Sequence, residues 1–155
     1  MICAKNAATL RVMNEKIRDR ELEKRYRCLV HGTPEPRAGR VTLFMRKDSG
    51  ENRIRVFDSP VPDGRTMITD YRVLRTDGRH SLLEVDLITG RTHQIRIHMK
   101  YIGFPLVGDY LYNPDMEYIT RQALHSYRLT FLHPITGQKM DFTALLPDDM
   151  KKVLN

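Results

Sequence analysis

The stretch TGRTHQIRIHMKYIGFPLVGD, residues 89–109, decides how the rest of this chain is interpreted. Its first ten residues, 89–98, hold two arginines, two histidines and a glutamine, and an apolar pattern follows them. A segment of this kind suits three roles: a basic contact with RNA, a metal site, or one half of an active site. The spacing of its side chains and the sequence around it separate these alternatives.

A helix is predicted inside this stretch. Thr92 is the expected N-cap, because a threonine hydroxyl accepts a hydrogen bond from the free amides of the first turn. Gly103 is expected to end the helix, and Pro105 follows it, as is typical of helix C-termini. One apolar face recurs at helical spacing and consists of Ile95, Met99 and Ile102.

The histidine spacing argues against a metal site. His93 and His98 are five positions apart, whereas zinc-binding helices place paired histidines at i and i+4, on one face. No cysteine cluster lies nearby, since the two cysteines are Cys3 and Cys28. We therefore predict no metal ion at this segment.

The arginines favour an anion at the start of the helix. Arg91 and Arg96 are cations near the positive end of the helix dipole, where they are unfavourable by some tenths of a kcal/mol unless an anion is present. Helix N-termini and arginine side chains both suit phosphate and carboxylate groups. The sequence thus predicts that a phosphate or a carboxylate belongs beside this segment.

The remaining chain predicts an α+β fold, with a mostly antiparallel, mixed sheet and a few helices packed on it. A helix is expected at residues 7–18, with Asn6 as its N-cap, and another is expected after Pro147. A hairpin turn is expected at Asp77-Gly78, and further turns at 48–51 and 134–137. Strands are predicted at residues 23–32, 40–47, 52–58, 67–76, 80–88 and on both sides of the turn at 134–137.

Composition favours a polyanionic partner. Lysine and arginine outnumber aspartate and glutamate by 26 to 19, which gives a net charge of +7. Nucleic acid is the simplest partner for such a charge, although a solvated basic surface remains an alternative. No apolar run reaches the roughly 20 residues of a membrane span, and no signal-peptide pattern is present. We expect a cytoplasmic protein of one domain that binds no membrane.

Several motifs in order resemble the RluA-type RNA pseudouridine synthases. The segment GRTHQIRIH resembles the family's C-terminal active-site motif, and EKRYRCLVHG resembles its K-x-Y segment. MITDYRVL, GFPLVGDYLY, QALHSYRLTFLHPITG and LPDDM are similar to later family segments in the same order. The resemblance extends over the whole chain.

The resemblance implies a pseudouridine synthase-like catalytic fold and a reaction. These enzymes isomerise uridine to pseudouridine in ribosomal or transfer RNA, with no metal or organic cofactor, on a base flipped out of its stack. It further implies catalytic roles for Tyr26, against the base, and for Arg96, beside the catalytic carboxylate. The remaining positions that match are expected to shape the pocket and to contact RNA or the base: Arg91, Thr92, His93, Gln94 and Leu124.

One residue that the resemblance requires is missing. The family's catalytic aspartate lies in an H-R-L-D motif, and the 155 residues do not contain that motif. We therefore expect residues 1–155 to be the C-terminal, larger part of a single catalytic domain, with the aspartate upstream of Met1. Such a chain is expected to be inactive alone and to leave Arg96 without its carboxylate partner. The alternative is a non-catalytic short form that acts as an RNA-binding module.

Two further expectations follow from the missing segment. None of the aspartates that are present is expected to replace the catalytic one, including Asp19, Asp70, Asp86 and Asp109. Loss of the family's N-terminal strands is expected to expose a sheet edge or an apolar patch, which a dimer would cover.

Overall fold

The computed structural model describes residues 2–48, 53–114 and 116–154, and within them one sheet of seven strands carries three helices. All the strand pairings are antiparallel, and the strand order is β3-β2-β4-β5-β1-β6-β7. The elements are α1 (Ala7–Arg18), β1 (Glu23–His31), β2 (Ala38–Asp48), β3 (Arg53–Phe57), β4 (Arg65–Thr76), β5 (His80–Leu87), α2 (Gln94–Tyr101), β6 (Leu124–Leu132), β7 (Lys139–Thr143) and α3 (Asp148–Lys152). The predicted α+β class is confirmed. Most of the predicted turn at 48–51 lies outside the described residues.

Local sequence signals set the ends of several elements. The Asn6 side chain accepts a hydrogen bond from the Thr9 amide at 2.8 Å and so caps α1 where predicted. The β4–β5 hairpin turns at Asp77-Gly78, where Gly78 has a φ of 91° that an L side chain rarely adopts. The Asp77 carboxylate accepts from the amides of Arg79 and His80 and fixes this turn.

Helix α2 begins later than predicted. It starts at Gln94, and its N-cap is His93 rather than Thr92, with no side-chain hydrogen bond at the cap. His93 has a left-handed backbone with a φ of 56°. Threonine is a good N-cap by propensity. Here, however, the side chain of Gln94 holds the polar segment before the helix, and Thr92 does not cap it. The predicted end is correct, because Gly103 has a φ of 89° beyond the last turn.

The two faces of the sheet bury different cores. Tyr26 and Cys28 alternate with Arg25 and Arg27 in the first part of β1, so these two pairs of side chains point to opposite faces of the sheet. The first face forms the larger core with α2, which includes Cys28, Val30, Leu83, Val85, Ile95 and Met99. The opposite face forms a smaller core with α3, which includes Leu29, Leu82, Val107, Met150 and Leu154.

An edge of the described sheet is exposed at β7. Phe142 on this strand is 52% exposed, and Leu145 just beyond it is 83% exposed. Such an edge offers unpaired backbone groups and apolar area to another chain. Dimerisation through it stays a prediction. No described helix is long and apolar enough to cross a membrane.

Candidate functional site

A cavity of about 610 Å³ lies where the end of α1, the start of β1 and the β5–α2 connection meet. Its volume falls within the range of small-molecule sites, roughly 300–1,000 Å³. Tyr26 and Arg91, two of the predicted site residues, both line it. The cavity therefore brings together residues that are 65 positions apart in sequence, as their numbers in the chain show.

Tyr26 lies on the core face of β1, half-buried between Val85 on β5 and Ser126 on β6. Burial raises the pKa of its phenol above the usual range, so the hydroxyl stays protonated at neutral pH. Leu124 is the cross-strand partner of Cys28 and packs against the same core. Tyr26 and Leu124 therefore share a face, although Leu124 does not line the cavity.

Arg91 presents a guanidinium that the described part of the chain leaves without an ion pair. Its Nε is buried and has no hydrogen-bond acceptor among the described residues. A buried donor with no acceptor is costly. A ligand with an oxygen acceptor would satisfy it, which agrees with the prediction that Arg91 contacts RNA.

Gln94 anchors the segment that carries Arg91. Its side-chain nitrogen donates to the Ile68 carbonyl and to the Thr69 hydroxyl, both at 2.9 Å. Its oxygen accepts from the Thr89 hydroxyl at 2.8 Å and from the Arg91 amide at 3.1 Å. The side chain is 2% exposed and its hydrogen-bonding capacity is used within the protein. Gln94 therefore positions the loop, and its contact with RNA stays a prediction.

His93 and Thr92 lie on the exposed side of the same loop. The His93 Nδ1 lies 3.2 Å from the Tyr112 hydroxyl, and the two rings meet edge to face at 5.8 Å. Left-handed backbone at a residue other than glycine is strained and clusters at functional sites. His93 is thus held in an unfavourable conformation next to the cavity-lining Arg91.

Arg96 has a carboxylate partner within the chain. Its Nε donates to Asp109 Oδ2 at 2.8 Å, and one Nη donates to Asp109 Oδ1 at 2.6 Å. Both residues are buried. The expectation that Arg96 lacks a partner is wrong, because the chain folds back after α2 and brings Asp109 beside it. The carboxylate predicted near this segment is present, but it comes from 13 residues downstream.

The pKa of Asp109 reflects this pairing. Burial by itself raises the pKa of the carboxyl, but the hydrogen bonds from Arg96 and from the Tyr112 and Leu111 amides outweigh it, and the pKa is lowered. The guanidinium of Arg96 also packs near two aromatic rings, at 4.9 Å from Tyr112 and 5.9 Å from Tyr110. Asp109 and Arg96 therefore form an ionised pair enclosed by protein.

His98 is fully buried in the first core. Neither ring nitrogen has a hydrogen-bond partner among the described residues. Burial lowers the pKa of the imidazole to about 4, so the ring is neutral at physiological pH. His98 behaves as a core residue, and no group of three or more potential metal ligands is found in the described ranges.

Three of the aspartates considered above are bound to arginines. Asp19 accepts from Arg18 at 3.0 Å, and Asp70 accepts from Arg40 at 2.6 Å and 2.7 Å. Asp109 is paired with Arg96 as described. None of these three aspartates lines the cavity that contains Tyr26.

Asp86 is the aspartate that lines the cavity. Burial raises the pKa of its carboxyl; Arg25 lowers it, whereas the carboxylates of Asp70, Glu23 and Glu84 raise it further. Asp86 is the cross-strand partner of Arg25, and Tyr26 is the partner of Val85. Successive residues of a strand point to opposite faces, so the carboxylate of Asp86 and the ring of Tyr26 lie on opposite faces of the sheet.

A family model described as RNA pseudouridylate synthase matches residues 1–101 of this chain. The chain belongs to the RNA pseudouridylate synthase family. The match includes Tyr26 and the whole segment from Arg91 to His98. The resemblance drawn from the motifs is therefore confirmed at the level of the family.

Individual relatives support this membership. An uncharacterized RNA pseudouridine synthase of Chloroflexus aurantiacus is 40% identical over 156 residues, which cover 99% of this chain and 48% of the relative. Ribosomal large subunit pseudouridine synthase D of Borreliella burgdorferi is 39% identical over 132 residues, which cover 83% of this chain and 40% of the relative. The chain spans about half the length of the relatives that it matches.

Solved structures show the same fold. Human RNA Pseudouridylate Synthase Domain Containing 1 superposes with a TM-score of 0.79 at 24% identity, covering 98% of this chain and 65% of that structure. Domain Containing 4 of the same human family superposes with a TM-score of 0.76 at 20% identity, covering 94% of this chain and 66% of that structure. The seven-stranded antiparallel sheet with its helices is thus a pseudouridine synthase fold.

Proposed function

We propose that this chain forms the base-binding part of an RNA pseudouridine synthase active site. The observation that carries the proposal is the cavity, because two predicted site residues line it: Tyr26, whose phenol is neutral, and Arg91, whose Nε has no acceptor among the described residues. The aromatic ring of Tyr26 stacks on a flipped uracil, and its hydroxyl is placed to assist removal of the C5 proton. Arg91 binds an oxygen of the RNA that enters the cavity.

The nucleophilic aspartate is proposed to come from a segment outside these 155 residues. The described aspartates that were considered are bound to arginines or point away from Tyr26. On this proposal the chain is the larger part of one catalytic domain and has no activity alone. Asp109 uses the Nε of Arg96 and one of its two Nη groups, so on this proposal the nucleophilic aspartate would bond to the second Nη.

The substrate is proposed to be ribosomal or transfer RNA in the cytoplasm. The name of the Borreliella burgdorferi relative refers to the large ribosomal subunit. The net charge of +7 supports a polyanionic substrate. Flipping a uridine costs a few kcal/mol, which contacts between the RNA backbone and basic side chains offset.

Release of tritium from C5-labelled uridine in RNA tests the proposal. The chain alone should bind a labelled RNA, measured by fluorescence polarisation, and should release no tritium. A fusion that adds a segment with the H-R-L-D motif from a relative should release tritium, because it restores the carboxylate. The same fusion with Tyr26→Phe should lose this activity by a large factor, roughly 100-fold or more.

Two controls separate the outcomes. Replacing the aspartate of the added H-R-L-D motif by asparagine should abolish release and preserve RNA binding. If the chain alone releases tritium and Asp86→Asn abolishes that release, the nucleophile is Asp86 and the proposal of an external aspartate is wrong. If the fusion binds RNA but stays inactive, the alternative of a non-catalytic RNA-binding module is favoured.

A further inference from the structure

Arg20 occupies a backbone position that favours glycine. It follows the C-terminus of α1 with a φ of 63°. Its amide donates to the Ile17 carbonyl at 3.3 Å, and the next amide, of Glu21, donates to the Lys16 carbonyl at 2.9 Å. This pair of hydrogen bonds is the Schellman motif, in which the left-handed residue is usually glycine because any Cβ is strained there. An arginine at this position is less favourable for folding than a glycine, which suggests that its side chain has a function.

The side chain of Arg20 is available to a ligand. Its neighbours on α1 are paired, because Arg18 donates to Asp19 and the Lys16 ammonium binds Glu21. Arg20 itself makes no ion pair and no side-chain hydrogen bond within the described part of the chain. Arg20 lines the cavity that also contains Tyr26. The strained residue thus holds a free guanidinium at the candidate site.

Cations from two other elements line the same cavity. Lys24 comes from β1 and is half-buried, and Arg91 comes from the β5–α2 connection with its Nε unpartnered. Two acidic residues, Glu23 and Asp86, also line the cavity. Lys24 is two residues from Tyr26 and therefore lies on the same face of β1. Glu23 and Arg25 lie on the other face, and so does Asp86, which is the cross-strand partner of Arg25. The side chain of Lys24 therefore shares the face of β1 on which the base would stack, whereas those of Glu23 and Asp86 lie on the other face.

We propose that Arg20, Lys24 and Arg91 form a binding site for a backbone phosphate of the RNA, adjacent to the nucleotide whose base stacks on Tyr26. This inference rests on the proposed function. A phosphodiester offers several oxygen acceptors, which suits cations that approach from three separate elements. Binding of that phosphate is the function for which the unfavourable backbone of Arg20 is retained.

Arg20→Gly tests the proposal, because it should move stability and affinity in opposite directions. Glycine removes the left-handed strain, so the melting temperature should rise by about 2 °C. The guanidinium is lost at the same time, so affinity for a short fluorescent single-stranded RNA should fall about three- to tenfold. The slope of log affinity against log salt should decrease by about 0.7, the value for one phosphate contact with single-stranded nucleic acid.

Two matched variants control this experiment. Asp63→Gly relieves the same type of strain, since Asp63 has a φ of 59° and does not line the cavity. It should raise the melting temperature without reducing RNA affinity. Arg79→Gln removes one positive charge at the opposite end of β5, and it should leave the affinity within about twofold and the salt slope almost unchanged.

The outcomes distinguish this inference from the function on which it rests. If the wild-type chain binds RNA and Arg20→Gly binds it with the same affinity and salt slope, the phosphate site is wrong and the proposed function stands. If the wild-type chain binds no RNA, both are overturned.

Discussion

The two halves of the segment GRTHQIRIH differ in how their charges are satisfied. Residues 90–93 form a strained loop at the cavity, where the Nε of Arg91 has no acceptor in the described protein. From Gln94 onward the segment is a buried helix, where Arg96 is paired with Asp109 and Gln94 is saturated with hydrogen bonds. The segment GRTHQIRIH therefore has two parts: residues 90–93 face the ligand, and the residues from Gln94 onward are structural.

The role of a motif residue thus depends on whether other protein groups satisfy its charge and hydrogen bonds. A buried ion pair with complete hydrogen bonding contributes to folding only as a pair, and removing one partner leaves an isolated charge. A donor without a protein acceptor has capacity left for substrate. Substitutions in the two halves should therefore differ in their effects on stability and on RNA binding.

Asp109→Ala should be the most destabilising change. It leaves the buried guanidinium of Arg96 unpaired and also removes the acceptor of the Leu111 and Tyr112 amides. The free energy of unfolding should fall by about 3–5 kcal/mol. Urea denaturation followed by circular dichroism measures it.

An exposed pair provides the matched control for Asp109. Arg121 donates to both carboxylate oxygens of Asp149 at 2.9 Å, but both side chains are about 40% exposed. Asp149→Ala should therefore cost about 1 kcal/mol or less. The double variant Arg96→Met, Asp109→Leu should recover much of the loss of Asp109→Ala. Equal effects of Asp109→Ala and Asp149→Ala would contradict the structural role assigned to the buried pair.

His98 should make stability depend on pH. Its pKa is lowered by burial to about 4, against about 6.5 in an unfolded chain. Between these two values the unfolded state therefore binds more protons than the folded state. The free energy of unfolding is thus unaffected by His98 above about pH 6.5, and it decreases as the pH falls toward about 4. The total loss should approach about 3 kcal/mol. Urea midpoints measured between about pH 7 and 4.5 follow most of this change.

His98→Leu should flatten this profile with little change at neutral pH, because both ring nitrogens lack partners among the described residues. His125, whose ring bonds to the Ala144 carbonyl near the surface, provides the control. His125→Gln should keep the pH dependence of the wild-type chain. A steep profile that survives His98→Leu would mean that other groups cause it.

Arg91→Ala should have the smallest effect on stability. Its guanidinium makes no ion pair in the described part of the chain, so the free energy of unfolding should change by about 0.5 kcal/mol or less. RNA affinity should fall nevertheless, as fluorescence polarisation would show. The same substitution at Arg96 should cost several kcal/mol by leaving Asp109 unpaired. Similar destabilisation at both arginines would remove the distinction between the two halves.

Local patterns predicted much of the fold. The helix with its Asn6 cap and the turn at Asp77-Gly78 were predicted because capping and turn formation depend on a few neighbouring residues. Thr92 was predicted as a cap on the same basis and was wrong. The helix starts at Gln94, whose contacts with Ile68 and Thr69 come from a different strand. No local pattern encodes such a contact.

Neighbouring positions of the chain predicted the family and the mostly antiparallel α+β fold, and they suggested the residues proposed for the site. Those depend on alternation, capping and ordered motifs, which are properties of neighbouring positions. Folding was needed to show that Arg96 binds Asp109, that Gln94 has all its hydrogen bonds within the protein, and that Arg20 and Arg91 share a cavity with Tyr26. The reason is physical: whether a polar group is free or satisfied depends on atoms brought close by folding, and sequence order does not fix those distances.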